Sequence, residues 1–216
     1  MVTAGPTREA IDPVRFISNR SSGKMGFAVA EAAAAAGAHV ILVSGPVSLD
    51  TPKGIRERVD VESAQQMYHA VHQRIAEIDV FISAAAVADY RPERPANQKI
   101  QKTENHLELR LVRAPDIVTS VAILTDGPFT VGFAAETENL EVNALDKLAR
   151  KQLDMIAANR VGSTEGFDTD DNALIVFWPG GMRAFSKASK EELAIKLIAL
   201  VAERCKVQAK VHGVTG

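Results

Sequence analysis

The chain has 216 residues, 46% hydrophobic and 24% charged, with a formal net charge of −2. This is an ordinary globular balance for one large or two small domains, and it speaks against a nucleic-acid scaffold, which carries a basic excess. The single Cys205 rules out a disulfide framework within the chain and any multi-cysteine zinc site, and fits a reducing, cytoplasmic setting.

No apolar run reaches the ~18 residues of a membrane span, so no membrane association is expected. The opening MVTAGPT lacks the basic-then-apolar order of a signal peptide and starts almost directly on a strand. It reads as the start of a piece excised from a longer chain. VTAG (2–5) is the first expected strand, and residues 22–36 form an alanine-rich helix closed by Gly37. HVILVSGP (39–46) is a near-continuous apolar run, as in a parallel strand buried on both faces. ERVDV (57–61) is a short strand, 63–78 a helix capped by Ser63, and VFISAAA (80–86) a fourth strand. Such alternation predicts a doubly wound, mostly parallel sheet with right-handed crossovers.

The pattern changes at 87–106, a polar stretch with two prolines that reads as a protruding flap at about 90–106. LELRLV (107–112) alternates like a half-exposed strand, and a helix is expected over 115–124 with Pro115 in its first turn. FTVGFAAE (129–136) is a strong strand, 138–153 an amphipathic helix, and 154–161 another strand. NALIVFW (172–178) and MRAFS (182–186) form a hairpin around PGG. The last helix spans 189–205, with Ser189 and Glu192 in capping-box spacing, before a frayed tail. The fold expected is one Rossmann-like α/β domain, 1–216, with a flap and a C-terminal hairpin plus helix.

The segment RFISNRSSGKMG (15–26) opens the alanine-rich helix. Helix N–H groups, Gly23, Gly26, Arg20 and Lys24 there make an anion site, as for phosphate. Equally, Ser21 or Ser22 caps the helix while Gly26 lets it pack on the sheet. Neither standard phosphate template fits. Ser18 and Met25 break the P-loop pattern, and Ser21 stands at the first glycine of the dinucleotide fingerprint. Seventeen residues separate Gly5 from Gly23, and the second strand ends in Ser44-Gly45-Pro46 without a ribose-binding acid. Tyr68 and Tyr90 lack a lysine four residues on, so a nicotinamide-dependent dehydrogenase is disfavoured. Asp89 at a strand's carboxyl end suits ribose or a divalent ion, although a solvated turn explains it too. Lys99 and Lys102 in the flap, and Lys147 and Lys151 on one helix face, are solvated or phosphate-binding. His69 and His72 are expected at the surface.

TAGPTREAIDPVRFISNRSSGKMG, SAAAVADYR, PDIV, VGFAAET and NALIVFW occur in that order, and together resemble the phosphopantothenoylcysteine synthetase domain of bacterial coenzyme A biosynthesis. The likeness covers roughly residues 2–205 and implies a ligase. It would use CTP, with Mg²⁺, to turn 4′-phosphopantothenate into an acyl-cytidylate with loss of pyrophosphate. Attack by the L-cysteine amine then yields phosphopantothenoylcysteine and CMP.

The likeness also implies roles. Asn19 would donate to the reacting acyl group, and Lys99 would act on the phosphates. Ser83, Ala84, Ala85, Asp89, Pro115, Asp116, Ile117, Val118, Phe133, Lys147 and Lys151 would contact CTP. Ala86 and Lys102 would border substrate or phosphate; the phosphate role of Ser21, Ser22, Gly23 and Lys24 rests mainly on the helix-start chemistry above, and that of Asp89 as candidate metal ligand on its place at the strand end. The family's Lys-x-Lys-Lys flap motif is here Lys99-Ile100-Gln101-Lys102, one lysine short. The resemblance further implies a homodimer and a linked flavin-dependent decarboxylase domain. A non-catalytic nucleotide-binding module is the remaining alternative, its best support being the altered flap.

Overall fold

A computed structural model describes residues 1–102, 106–160 and 171–213, with side chains left undescribed at 160 and 208–213. In chain order the elements are β1 (Val2–Ala4), β2 (Arg8–Ala10), β3 (Phe16–Ser18), α1 (Lys24–Ala35), β4 (Ile41–Ser44), β5 (Glu57–Asp60) and α2 (Ala64–His72). There follow β6 (Val80–Ser83), β7 (Tyr90–Pro92), β8 (Leu111–Arg113), α3 (Ile117–Ala122), β9 (Phe129–Glu136) and α4 (Leu140–Arg150). β10 (Met155–Arg160), β11 (Asp171–Trp178), β12 (Gly181–Ser189) and α5 (Lys190–Gly213) complete the chain.

The eight-stranded sheet has the order β12-β11-β10-β9-β6-β1-β4-β5. Its strands from β10 to β5 pair in parallel, while β11 and β12 add an antiparallel hairpin at the far edge. This is the expected Rossmann-like architecture. Successive residues of a strand face opposite sides, so the sheet carries two apolar faces. Val2, Leu42, Ile82 and Val131 pack under α1 and α5, through Phe27, Val29, Leu197 and Leu200. Val43 and Phe81 meet α2 and α3 through Met67, Val71 and Val121, while Ile156 and Phe177 meet α4. No helix among the described residues is long and apolar enough to cross a membrane.

Several ends follow the sequence signals. Gly37 has φ +90°, and the amides of Gly37 and Ala38 return to Ala34 and Ala33, closing α1 as a Schellman motif. Ser63 and Gln66 form a reciprocal capping box on α2. The Ser189 Oγ accepts from the Glu192 amide at 3.2 Å at the start of α5.

Other boundaries differ. Neither Ser21 nor Ser22 caps α1: the N-cap is Gly23 at φ 78°, and the Ser21 Oγ accepts from the Gly23 amide instead. The segment 8–18 forms a hairpin, β2–β3, that the pattern of apolar residues does not announce. The strand expected at 107–112 is confined to 111–113, because its partner β7 is short; Leu107 and Leu109 run past it with exposed side chains. The helix expected to stop at 205 continues to Gly213, while 103–105 of the flap, Val161 of the expected 154–161 strand and 214–216 of the tail lie outside the described residues. His72 is half-buried, its Nε2 2.8 Å from the Ser120 Oγ, rather than a free surface residue. Burial, then the neighbouring His69, pulls its pKa below the ordinary imidazole value.

Candidate active site

In open α/β sheets the usual ligand crevice lies where strand order reverses, here between the carboxyl ends of β1 and β6. This chain fills that crevice with its own backbone. The Ala86 amide donates to the Gly5 carbonyl at 2.9 Å, and the Thr7 amide to the Ala86 carbonyl at 3.3 Å. The Gly45 backbone presses against Pro6 so closely that an added Cβ would sit 1.8 Å from the Pro6 carbonyl oxygen. The open cleft lies one strand further on, beyond β6 and β9 and between α3 and α4, with a volume of about 570 Å³.

Ser83 and Gly132, register partners on β6 and β9, lie in its lining. Ala85, Asp89, Pro115, Asp116, Ile117, Val118, Phe133, Lys147 and Lys151 line the rest of it, with Val87, Tyr90, Arg113 and Arg150 beside them. The structure thus brings together every residue expected at the nucleotide except Ala84 and Lys99. Ala84 is spent on the sheet, its amide donating to the Thr3 carbonyl at 3.1 Å. Lys99 and Lys102 are exposed on the flap and do not line the cleft.

The cleft's lysines are held by carboxylates. Lys151 Nζ lies 3.0 and 2.9 Å from the two oxygens of Asp116, which also caps α3 by accepting from the Thr119 amide at 3.2 Å. Burial pushes the Asp116 carboxyl up, but the hydrogen bonds and charge from Lys151 and Thr119 outweigh it and hold the group below its ordinary range. Lys147 Nζ lies 2.5 Å from Oε1 of Glu136, whose other oxygen accepts from Asn143 at 2.8 Å. Each cation therefore stands in a fixed place before any anionic ligand arrives. Glu136 is the residue sequence reasoning missed. The signal was its place in VGFAAET, the segment that also carries Phe133.

Asn19 sits beside this cleft. Its Nδ2 donates to the carbonyls of Val87 (2.9 Å) and Ala86 (3.4 Å), and Val87 belongs to the cleft lining. Carbonyls only accept, so the amide nitrogen must face them. The side chain then offers its oxygen outward. The donation to an acyl oxygen expected of Asn19 would exchange these two backbone contacts for the ligand. Ser21, Ser22, Gly23 and Lys24 lie outside the cleft lining. A Cβ on Gly23 would come 2.9 Å from Val47 and 3.4 Å from the Gly5 Cα.

No group of three or more His, Cys, Asp or Glu side chains able to hold a metal occurs among the described residues. Mg²⁺ commonly takes only one or two protein carboxylates and completes its shell with waters and substrate phosphates. With Asp116 tied to Lys151, Asp89 is the carboxylate in the cleft lining that carries no ion pair among the described residues. A site of that kind fits a metal brought in on a polyphosphate.

Residues 1–205 match the family described as the DNA/pantothenate metabolism flavoprotein C-terminal domain. The chain is 56% identical over 202 residues to the coenzyme A biosynthesis bifunctional protein CoaBC of Vibrio parahaemolyticus, covering 92% of this chain and 50% of that protein. Against the protein of the same name from Escherichia coli strain K12 the identity is 52% over 203 residues, with 92% and 50% covered. The chain spans about half the length of the curated relatives it matches. The crystal structure of the C-terminal domain of a CoaBC protein superposes with a TM-score of 0.79 at 40% identity, covering 96% of this chain and 94% of that one.

Proposed function

The chain belongs to the DNA/pantothenate metabolism flavoprotein C-terminal domain family, and on that premise we propose that it is a phosphopantothenate–cysteine ligase driven by CTP. The observation that carries this reading is the convergence of Ser83, Asp116, Phe133, Lys147 and Lys151, distant in sequence, on one cleft. The similarity to proteins named for coenzyme A biosynthesis supports it.

A carboxylate is a poor acyl donor because its leaving group would be an oxide. In the first step a carboxylate oxygen of 4′-phosphopantothenate attacks the α-phosphorus of CTP. The bond from that phosphorus to the bridging oxygen breaks, and pyrophosphate leaves. Lys147 and Lys151 screen the repulsion between carboxylate and triphosphate. Asp89 is the residue that would hold Mg²⁺, which supplies further charge neutralisation when bound. In the second step the cysteine amine attacks the acyl carbon and CMP departs with the electron pair of the broken acyl–oxygen bond. The outward oxygen of Asn19 suits an N–H of that amine. Lys99 and Lys102 act on phosphates from the flap.

The same reading makes the chain one synthetase domain of a cytoplasmic enzyme, joined in the whole protein to a flavin-dependent decarboxylase domain. It also makes it a homodimer. Exposed Phe16 and Val14 on the β2–β3 hairpin and exposed Tyr90 and Leu111 on the adjoining β7–β8 ribbon supply an apolar face for a second copy.

The functional test is product formation. Phosphopantothenoylcysteine and CMP are expected only when CTP, 4′-phosphopantothenate and cysteine are all present; formation without CTP would overturn the reading. A binding test accompanies it. Lys151→Met is expected to weaken CTP binding about 10-fold by calorimetry, because it removes a charge-assisted contact and leaves Asp116 unpaired toward the phosphates. An affinity within about 2-fold of the parent would remove Lys151 from the nucleotide site.

A further inference from the structure

The flap is not a free loop at its lysine-bearing end. Asp12 and Arg15, in the turn between β2 and β3, grip the backbone of Ile100 from both sides. The Ile100 amide donates to Asp12 Oδ2 at 3.2 Å, and Arg15 Nη2 donates to the Ile100 carbonyl at 3.1 Å. The two side chains are joined to each other by an Arg15 Nη1 to Asp12 Oδ2 bond of 3.0 Å. Asp12 itself is locked by the amides of Val14 and Arg15, at 2.8 and 2.9 Å, and its side chain is fully buried beside an Arg15 that is 39% exposed. One more bond, from the Ala96 amide to the Ile11 carbonyl at 2.8 Å, seats the preceding flap residues on the same turn.

A buried carboxylate needs partners to remain charged. Burial pushes the Asp12 carboxyl up, yet the amides of Val14, Ile100 and Arg15 and the Arg15 charge leave it below its ordinary value. Ile100 stands between Lys99 and Gln101, so whatever holds Ile100 sets where Lys99 can reach. Arg15 also leads directly into β3, whose end carries Ser18 and then Asn19. Ser18 Oγ donates to the Thr7 carbonyl at 2.7 Å, which ties that strand end to the segment after β1.

We propose that Asp12 and Arg15 form a clasp that fixes the flap at Ile100 and so positions Lys99 relative to Asn19. They are positioning residues, since neither needs to touch substrate. The clasp's effect on turnover rests on the ligase reading above, whereas its effect on the flap does not.

The test compares the full chain with Asp12→Asn, which places an amide NH₂ against the Ile100 amide and the Arg15 guanidinium, and with Arg15→Lys, which keeps the ion pair but loses the fork onto the Ile100 carbonyl. Hydrogen exchange of the 96–102 peptide is read against a central-sheet peptide from β9 as the folding control. Faster flap exchange by about 10-fold in Asp12→Asn is expected, with an intermediate value in Arg15→Lys. Phosphopantothenate-dependent pyrophosphate release should show kcat lower by about 10-fold and CTP affinity within about 2-fold of the parent. If β9 exchange also rises in Asp12→Asn, the comparison is made in Arg15→Lys alone. Unchanged flap exchange would overturn the clasp, as would faster exchange with unchanged kcat. If the parent chain released no pyrophosphate from CTP, the ligase reading would fail while flap exchange still decided the clasp.

Discussion

Replacing Asn19 with Asp is expected to lower turnover by about 10²–10³-fold while leaving the fold in place. Asn19 is exposed, and its side chain makes two bonds, both from Nδ2 to carbonyls. A carboxylate there would set negative oxygens against the Ala86 and Val87 carbonyls, and the side chain would swing away. It would also place a charge near the carboxylate and triphosphate that must approach each other. An exposed side chain with two bonds contributes little to global stability, so urea unfolding should shift by no more than about 1 kcal/mol. Turnover equal to that of the parent would remove Asn19 from the mechanism. Asn19→Ala separates the roles: it loses the oriented oxygen without adding charge, and should keep more of the first half-reaction than Asn19→Asp does.

The second large effect concerns Gly26. As a sequence it serves two readings equally, close approach of phosphate or close packing of a helix. The structure favours packing: a Cβ there would lie 2.6 Å from the Ala4 Cβ and 3.1 Å from the Ala4 Cα, inside the contact of α1 with β1. Ala4 is fully buried in a central strand and cannot retreat. Gly26→Ala should therefore lift α1 off the sheet and cost about 2–3 kcal/mol, lowering Tm by roughly 4–12 °C for a chain of this size. Gly37 is the control. It has positive φ but nothing within 4 Å of an added Cβ, so Gly37→Ala should cost only about 1 kcal/mol through backbone strain. A Gly26→Ala protein that melts like its parent but loses nucleotide binding would restore the phosphate reading.

What could be read from the sequence followed the strength of local signals. β9 spans the residues its apolar run marks, and Gly37 and Ser63 end or start their helices as their chemistry dictates. The β2–β3 hairpin escaped because its strands are three residues each and its turn is organised by the Asp12 side chain rather than by glycine. Glu9 was equally opaque: it is buried, and it accepts from the Ala64 amide at the start of α2, fifty-five residues away. The cleft's members were named from resemblance, since nothing local links Ser83 to Lys147. Glu136 went unnamed because an acid beside phosphate-binding lysines makes sense only when its contact with Lys147 is seen. The orientation of the Asn19 amide was not legible in the sequence, because it depends on the carbonyls of Ala86 and Val87 in a distant loop.

The central claim, that this cleft activates a carboxylate by nucleotidyl transfer, is tested most directly by pyrophosphate release in the absence of cysteine. The account predicts release from CTP that requires 4′-phosphopantothenate, is weaker with ATP, and leaves an acyl-cytidylate detectable by mass spectrometry. CTP binding without phosphopantothenate-dependent release would contradict it and leave a nucleotide-binding module in its place.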